Sequence, residues 1–177
     1  MTSTFGEYIK QRRTELGFPL KKVALHLDID TSTLGKIERE ERNLSENLLS
    51  PLAEILETEQ KSIFNQYYSS LQNKFPNVEF SYYQSNSEGS LVDFLQEIGF
   101  SEVCIILNAG GYTHTSVAIA DAVAAISAKV IEVHLSHPAA REEQRHISLL
   151  SKYATGSITG LGLYSYEAAI QYYIYNL

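Results

Sequence analysis

The chain has 177 residues, of which 44% are apolar and 20% are charged, and its formal net charge is −7. This is the composition of a globular protein with one large domain or two small ones, so it excludes the disordered and fibrous classes. No apolar run approaches the ~18 residues needed to span a bilayer, and the N-terminus lacks the basic start and apolar stretch of a secretory signal. We therefore expect a cytoplasmic protein that does not enter a membrane.

The charge is unevenly distributed along the chain. Residues 1–43 carry eight lysines and arginines against seven acidic residues, a balance of +1, whereas the remainder carries six against fourteen, a balance of −8. The N-terminal balance is compatible with nucleic-acid binding but does not indicate it. The single cysteine, Cys104, lies in an apolar run and has no second cysteine for a disulfide or a zinc site. We expect Cys104 in the core, and neither a metal nor a cofactor.

The hydrophobic period changes near residue 75. Before it, apolar residues at helical spacing predict four short helices and a fifth from about residue 58 to 73. After it, short apolar runs alternate with amphipathic segments, which is typical of a βαβα series with a parallel sheet covered on both faces. The predicted strands are 78–83, 103–107, 129–135 and 156–160, and the predicted helices are 91–98, 116–126, 141–150 and 165–175.

Residues 20–39 contain two short helical patterns separated by the turn Leu27-Asp28-Ile29. This segment resembles the helix-turn-helix of the phage-repressor and Cro-like family, and the resemblance extends over about residues 4–64. It implies that Ala24 permits close helix packing, that Ile29 fills the turn, and that the third helix enters the major groove of double-stranded DNA. The implied DNA-binding residues are Thr31, Ser32, Thr33 and Lys36, with Arg39, Arg12 and Arg13 as phosphate contacts.

Two positions depart from the helix-turn-helix pattern. Gly35 lies in the middle of the third helix, where glycine costs ~1 kcal/mol relative to alanine. Glu41 stands where the family usually has the glycine that ends this helix, and with Glu38 and Glu40 it forms an acidic cluster that we expect to repel phosphate. The alternative interpretation is a small helical bundle whose polar third helix is merely solvated.

Polar residues follow three of the predicted strands, at the edge of the sheet where ligands collect in doubly wound folds. They are Gln84-Ser85-Asn86, the segment Asn108 to Ser116, and His134-Leu135-Ser136. The second segment combines glycines, hydroxyls and a helix N-terminus, which suits a carboxylate or another anion. Each segment alone is also typical of ordinary turn chemistry, and a single histidine at a strand end is commonly structural.

The same residues resemble type II 3-dehydroquinate dehydratase across about residues 62–177. The matching segments are 83–89, 108–116 followed by Asp121, 132–136 and 140–146. The family removes water from 3-dehydroquinate through an enolate: a tyrosine takes a proton and a histidine protonates the departing hydroxyl. The resemblance implies His134 as general acid, Glu132 as its orienting carboxylate and Asn108 as the holder of a water at the enolate. The implied substrate-binding residues are His114, Leu135, Ser136, Arg145 and, reaching a neighbouring subunit, Asp121.

The chain lacks the first strand of that family and the lid that carries its catalytic arginine and tyrosine. We therefore predict an α/β protein in which an all-α helix-turn-helix bundle, residues 1–60, precedes an incomplete flavodoxin-like parallel sheet with helices on both faces, residues 61–177. The incomplete sheet leaves an unpaired strand edge, so we also expect a homo-oligomer.

Three functions are compatible with these features. The first is a DNA-binding regulator whose degenerate dehydratase domain serves oligomerisation and the sensing of a small hydroxylated carboxylate such as 3-dehydroquinate. The second is an active 3-dehydroquinate dehydratase with a replaced N-terminus. The third is an assembly module that binds neither DNA nor a ligand.

Overall fold

The computed structural model describes residues 4–176. The chain divides into two compact units, one ending at Ser81 and the other beginning at Tyr82. Within the described residues, no helix is both long enough and apolar enough to cross a membrane.

The first unit is all helical, as its hydrophobic period predicts. Its helices are α1 (Phe5–Glu15), α2 (Leu20–His26), α3 (Thr31–Glu38), α4 (Glu46–Ile55) and α5 (Gln60–Lys74). Gly6 permits a close crossing of α1 and α3, because a Cβ at this position would lie 2.6 Å from the backbone oxygen of Glu38. The core includes Ile9, Leu34 and Ile63, which are fully buried. Through Ile63, α5 belongs to the core of this unit.

The helix-turn-helix geometry is present over α2 and α3. Ala24 is 2% exposed, and its carbonyl accepts a hydrogen bond from the Ile29 backbone at 3.0 Å. Leu34 and Ile37 are buried, whereas Thr31, Ser32 and Lys36 are exposed. The apolar side of α3 therefore faces the core and its hydroxyl-bearing side faces outward.

Four of the helices end in the same way, with a residue in the left-handed region. These residues are Gly17, Asp28, Glu40 and Glu57, with φ of 67°, 51°, 60° and 51°. At the end of α3, the Glu40 backbone N–H bonds Ile37 O at 3.0 Å and the Glu41 N–H bonds Lys36 O at 2.8 Å, which is a Schellman motif. The prediction that Glu41 replaces the helix-ending glycine is therefore wrong: the left-handed position is Glu40.

The second unit confirms the α/β class. Its elements are α6 (Glu88–Ile98), β1 (Cys104–Leu107), α7 (Tyr112–Thr115), α8 (Val117–Ala125), β2 (Lys129–His134), β3 (Gly156–Thr159) and α9 (Tyr164–Asn176). The three strands are parallel in the order β1-β2-β3, with Ile105 beside Val130 and Glu132 beside Ser157. One core cluster joins α6 and α8 to the sheet, and a second joins α9 to it through Ala169 and Tyr173. Helices thus cover both faces.

One predicted strand is wrong. Residues 78–83 form no strand. In the flavodoxin order 2-1-3-4-5, the second strand pairs only with the first. The described residues that precede this segment are helical or irregular, so it has no neighbour to complete a ladder.

The predicted helix 141–150 is also wrong. This segment and the residues just before it form two short 3₁₀ turns, Pro138–Ala140 and Glu143–Arg145. Tertiary hydrogen bonds replace the helical ones here: the Leu149 backbone N–H bonds Thr113 O at 2.9 Å, and the Ser148 hydroxyl bonds Glu132 Oε1 at 2.7 Å.

The left-handed Glu57 provides a test of the Schellman geometry. Its side chain is exposed, and φ is 51°. Substitution Glu57→Gly should raise the free energy of unfolding by about 0.5–1 kcal/mol, because glycine removes the Cβ clash while losing more chain entropy on folding. Thermal unfolding followed by circular dichroism measures the change. Glu57→Ala is the control, since it shortens the side chain but keeps the clash, and an equal gain in that variant would contradict this account.

Candidate functional site

Because the three strands are parallel, their carboxyl ends lie at one edge of the sheet, and three loops follow there. The loop after β1 begins at Asn108, the loop after β2 at Leu135, and the loop after β3 at Gly160. Backbone hydrogen bonds join the last two, because the N–H groups of Gly160 and Gly162 bond the carbonyls of Ser136 and Leu135 at 3.0 and 2.9 Å. Gly160 has φ of 83°, a conformation that favours glycine.

Glu132 and His134 form a buried pair on β2. Their side chains point to the same face because they are two residues apart on a strand. Glu132 Oε1 lies 2.8 Å from His134 Nε2 and accepts a bond from Ser148 Oγ at 2.7 Å, while Oε2 accepts from Ser157 Oγ at 2.9 Å. Burial raises the pKa of the Glu132 carboxyl, but these three hydrogen bonds outweigh burial and the net shift is downward. Glu132 is therefore held as a carboxylate.

The hydrogen bond to the Glu132 carboxylate requires a proton on Nε2 of His134. Since Glu132 accepts at Nε2, the other ring nitrogen, Nδ1, is left for a ligand. The His114 ring lies beside it, with ring centroids 6.0 Å apart and planes inclined by 22°. His114 Nδ1 lies 2.8 Å from the carbonyl of Ile147, which fixes Nδ1 as the donor. The structure thus brings together His134, Glu132 and His114, as the sequence predicts.

Asn108 has a partner that the sequence did not indicate. Its side-chain Nδ2 donates to the hydroxyl of Tyr166 at 2.8 Å, and its Oδ1 accepts from the Gly110 backbone at 3.2 Å. Tyr166 lies on α9, 58 residues further along the chain. No local pattern could pair the two, because the contact depends on how α9 packs on the sheet.

The remaining predicted binding residues of this unit are Ser136, Arg145 and Asp121. Ser136 is half-buried, and its carbonyl is held by Gly160. Arg145 Nε lies 3.1 Å from Glu142 Oε2 without hydrogen-bond geometry, so the two side chains form an ion pair but no hydrogen bond through Nε. Asp121 is on the exposed side of α8 and has no hydrogen bond or ion pair within residues 4–176.

Two tyrosines of this unit have hydroxyls that are hydrogen-bonded within the chain. The Tyr112 hydroxyl donates to the carbonyl of Asn86 at 2.9 Å, and the Tyr82 hydroxyl donates to Gln84 Oε1 at 2.7 Å. Burial raises the pKa of Tyr82, which opposes formation of a phenolate. Tyr83 stacks on Phe94 with ring centroids 4.2 Å apart. The Tyr82 and Tyr112 hydroxyls are thus each engaged within the chain.

The outward surface of α3 in the first unit carries the predicted DNA-binding residues. Thr31, Ser32 and Lys36 are exposed, and Thr33 is half-buried. Arg39 follows the helix and forms an ion pair with Glu41. Arg13 is not available for a phosphate, because its guanidinium bonds the buried Glu38 carboxylate at 2.6 and 3.0 Å and Phe18 O at 2.8 Å.

Two of the three acids in the cluster, Glu38 and Glu41, are paired with arginines. Glu38 is 7% exposed and paired with Arg13, and Glu40 Oε1 accepts from the Gly6 backbone at 3.2 Å. Glu41 is paired with Arg39, so Glu40, which is exposed, is the acid of this cluster that keeps an uncompensated charge among the described residues. Arg12 is also engaged, since it bonds the carbonyl of Leu56 at 3.1 Å at the end of α4.

The described residues hold no group of three or more histidine, cysteine, aspartate or glutamate side chains arranged to bind a metal. Cys104 is partly buried beside the second core cluster, and burial raises the pKa of its thiol.

Comparison with known proteins agrees with both units. The family described as "Helix-turn-helix" matches residues 9–59, and "Dehydroquinase class II" matches residues 54–174. A 3-dehydroquinate dehydratase from Bacillus licheniformis is 52% identical over 97 residues, 55% of this chain and 67% of that protein. One from Fusobacterium nucleatum is 50% identical over 102 residues, 57% of this chain and 69% of that protein.

A solved structure is also similar. The type II dehydroquinase from Butyrivibrio crossotus has a TM-score of 0.57 and 41% identity, covering 63% of this chain and 77% of that one. Among four curated relatives, the chain spans only 59 to 69% of each relative's length. Because the dehydroquinase model matches well over half of the residues, the chain belongs to the class II dehydroquinase family.

Proposed function

We propose that this protein is a cytoplasmic DNA-binding regulator that assembles as a homo-oligomer and binds a small hydroxylated carboxylate without converting it. The observation that carries the proposal is the combination of an outward-facing α3 with a buried histidine–carboxylate pair, in a unit where the Tyr82 and Tyr112 hydroxyls are bonded within the chain. Each part of the proposal depends on a different set of contacts.

DNA binding rests on the surface of α3. Three hydroxyl side chains and the Lys36 ammonium line it, and such groups bond base edges and phosphates when the helix lies in the major groove. The neighbouring acids Glu38 and Glu41 are paired with Arg13 and Arg39, which reduces the expected repulsion.

Ligand binding rests on the loops at the carboxyl edge of the sheet. His134 offers Nδ1, Ser136 offers a hydroxyl, and we expect Arg145, from the segment after β2, to supply a cation for a carboxylate. The loss of chemistry rests on the tyrosines, since Tyr82 and Tyr112 are bonded elsewhere. General acid–base groups typically contribute ~10²–10⁴-fold each, so a site without its base retains little turnover.

The second candidate is an active 3-dehydroquinate dehydratase. The specific observation in its favour is the fully bonded Glu132 carboxylate at His134, which is the arrangement a general acid requires near neutral pH. An absorbance assay for 3-dehydroshikimate formation decides between the two candidates.

Oligomerisation rests on strand β1. Among the described residues, β1 pairs only with β2, so its other edge is open. The strand Cys-Ile-Ile-Leu carries no charge or proline to protect that edge. A helix-turn-helix module also reads paired half-sites as a dimer.

DNA binding should depend on Lys36. The variant Lys36→Ala should bind a duplex selected from a random pool several-fold more weakly than the parent. The slope of log K against log[salt] should also be shallower by about one, because one phosphate contact is lost. Fluorescence anisotropy at several salt concentrations measures this, and light scattering of the same samples measures the oligomeric state. Lys61→Ala, an exposed lysine on α5, is the control. Absence of binding at low salt, or a monomer at micromolar concentration, would contradict the proposal.

The carboxyl edge of the sheet should bind 3-dehydroquinate without turnover. Titration calorimetry should show saturable binding that Arg145→Ala abolishes, since a charge-assisted contact to a carboxylate contributes about 1.5–3 kcal/mol. The matched variant Arg141→Ala changes an exposed neighbouring arginine and should still bind. Turnover in the parent that disappears in His134→Ala would replace this proposal with the active enzyme.

The Glu132 network should make stability depend on pH. The pKa of Glu132 is lowered in the folded state, so its contribution is fully present above the unfolded value of about 4.3 and is lost as the pH falls through the folded value. Glu132→Gln should lower the free energy of unfolding by roughly 1.5–3 kcal/mol at pH 7, and the difference should shrink in acid. Urea unfolding at several pH values measures it. Glu102→Gln, an exposed control, should show no such difference, and a gap independent of pH would refute the assignment.

A further inference from the structure

Gly35 provides space for the Arg39 guanidinium on the recognition helix. The two residues lie one turn apart on the same side of α3. A Cβ at position 35 would lie 3.2 Å from Arg39 Nη1 and 3.7 Å from Leu20 Cδ2. The guanidinium therefore lies against the bare backbone of Gly35, folded back along the helix. A side chain at position 35 would require Nη1 to shift by a few tenths of an ångström.

Glu41 holds the guanidinium in this position. Arg39 Nε donates to Glu41 Oε1 at 2.8 Å and Nη2 donates to Oε2 at 2.9 Å, so both oxygens of the carboxylate are used. The Arg39 fork fits a phosphate with the same two donors, because carboxylate and phosphate oxygens have similar spacing. While Glu41 is in place, the edge of Arg39 that would grip a phosphate is occupied and its charge is balanced.

We propose that Glu41 is an internal competitor for DNA phosphate at Arg39, and that it sets the affinity of the recognition helix below what its cations would otherwise give. This inference rests on the proposed DNA binding. The partners are both well exposed, at 59% for Arg39 and 52% for Glu41, so water and salt screen the pair and it opens readily. A duplex offers a row of phosphates and releases counterions when one is neutralised.

Glu41 is the acid suited to this role because its neighbours have fixed partners. Glu38 is buried against Arg13, and Glu40 accepts from the Gly6 backbone. Hydrogen bonds from Arg39 lower the pKa of Glu41 against a smaller effect of desolvation, and the charges of Arg39 and Lys36 act in the same direction. Glu41 is therefore an ionised carboxylate beside the two cations of this surface.

The test compares Glu41→Gln, Arg39→Ala and the double variant in the full chain. The probe is a fluorescein-labelled duplex of mixed sequence, about three helical turns long, followed by anisotropy over a range of KCl concentrations. Glu41→Gln should bind the duplex on the order of tenfold more tightly at low salt. Its slope of log K against log[salt] should be steeper by about 0.9, because one more phosphate is contacted. The same substitution in the Arg39→Ala background should give no gain.

Glu57→Gln is the control for overall charge, since it removes one exposed carboxylate from the other end of α4 and should leave affinity unchanged. Glu41→Ser, whose side chain cannot reach Arg39, repeats the test if the glutamine variant does not fold. Equal or weaker binding by both Glu41 variants would overturn this inference alone. A gain that persists without Arg39 would also overturn it, because it would report only the lost negative charge. No binding by any variant, including the parent, would overturn the proposed DNA binding and this inference with it.

Discussion

The carboxylate of Glu132 bonds both to groups that hold the second unit together and to a histidine of its candidate site. The side chain is 1% exposed, and a carboxylate at that depth is stable only when its oxygens are fully bonded. Its partners come from three parts of the chain: His134 on β2, Ser148 in the irregular segment, and Ser157 on β3. The network therefore holds the segment after β2 against the sheet and, through the same atoms, sets which nitrogen of His134 faces a ligand.

A buried ion pair has the corresponding role in the first unit. Arg13 on α1 and Glu38 on α3 form two hydrogen bonds at positions that are 13% and 6% exposed. Removing one partner of such a pair costs about 3–5 kcal/mol, because the other charge is left buried without compensation. The pair positions the recognition helix on α1, and it removes one acid from the surface that would meet DNA. The same contact therefore contributes to the stability of the first unit and to the charge of its proposed DNA-binding surface.

The proposed assembly depends on the open edge of the sheet. With strand order β1-β2-β3, the apolar strand β1 is an edge strand with no protecting charge among the described residues. The segment 78–83 has an apolar pattern but no partner strand, and Tyr83 instead stacks on α6 through Phe94. A regulator that reads paired half-sites needs an oligomer, and the dehydroquinase-like unit offers a surface from which one can form.

The sequence by itself determined the helical first unit, the parallel α/β second unit, and the shared strand face of Glu132 and His134. These follow from hydrophobic period and from short spacings, which report local geometry directly. Only the tertiary structure decided the partner of Asn108, the position of the left-handed residue at Glu40, and the irregular path of residues 141–150. Each of these depends on groups distant in sequence or on how a helix end meets its neighbours, as when Ser148 bonds Glu132 instead of a helical carbonyl. The reason is physical. The local sequence pattern determines which face of a helix or strand is buried, whereas tertiary packing determines which hydrogen-bond partners the polar groups on that element have.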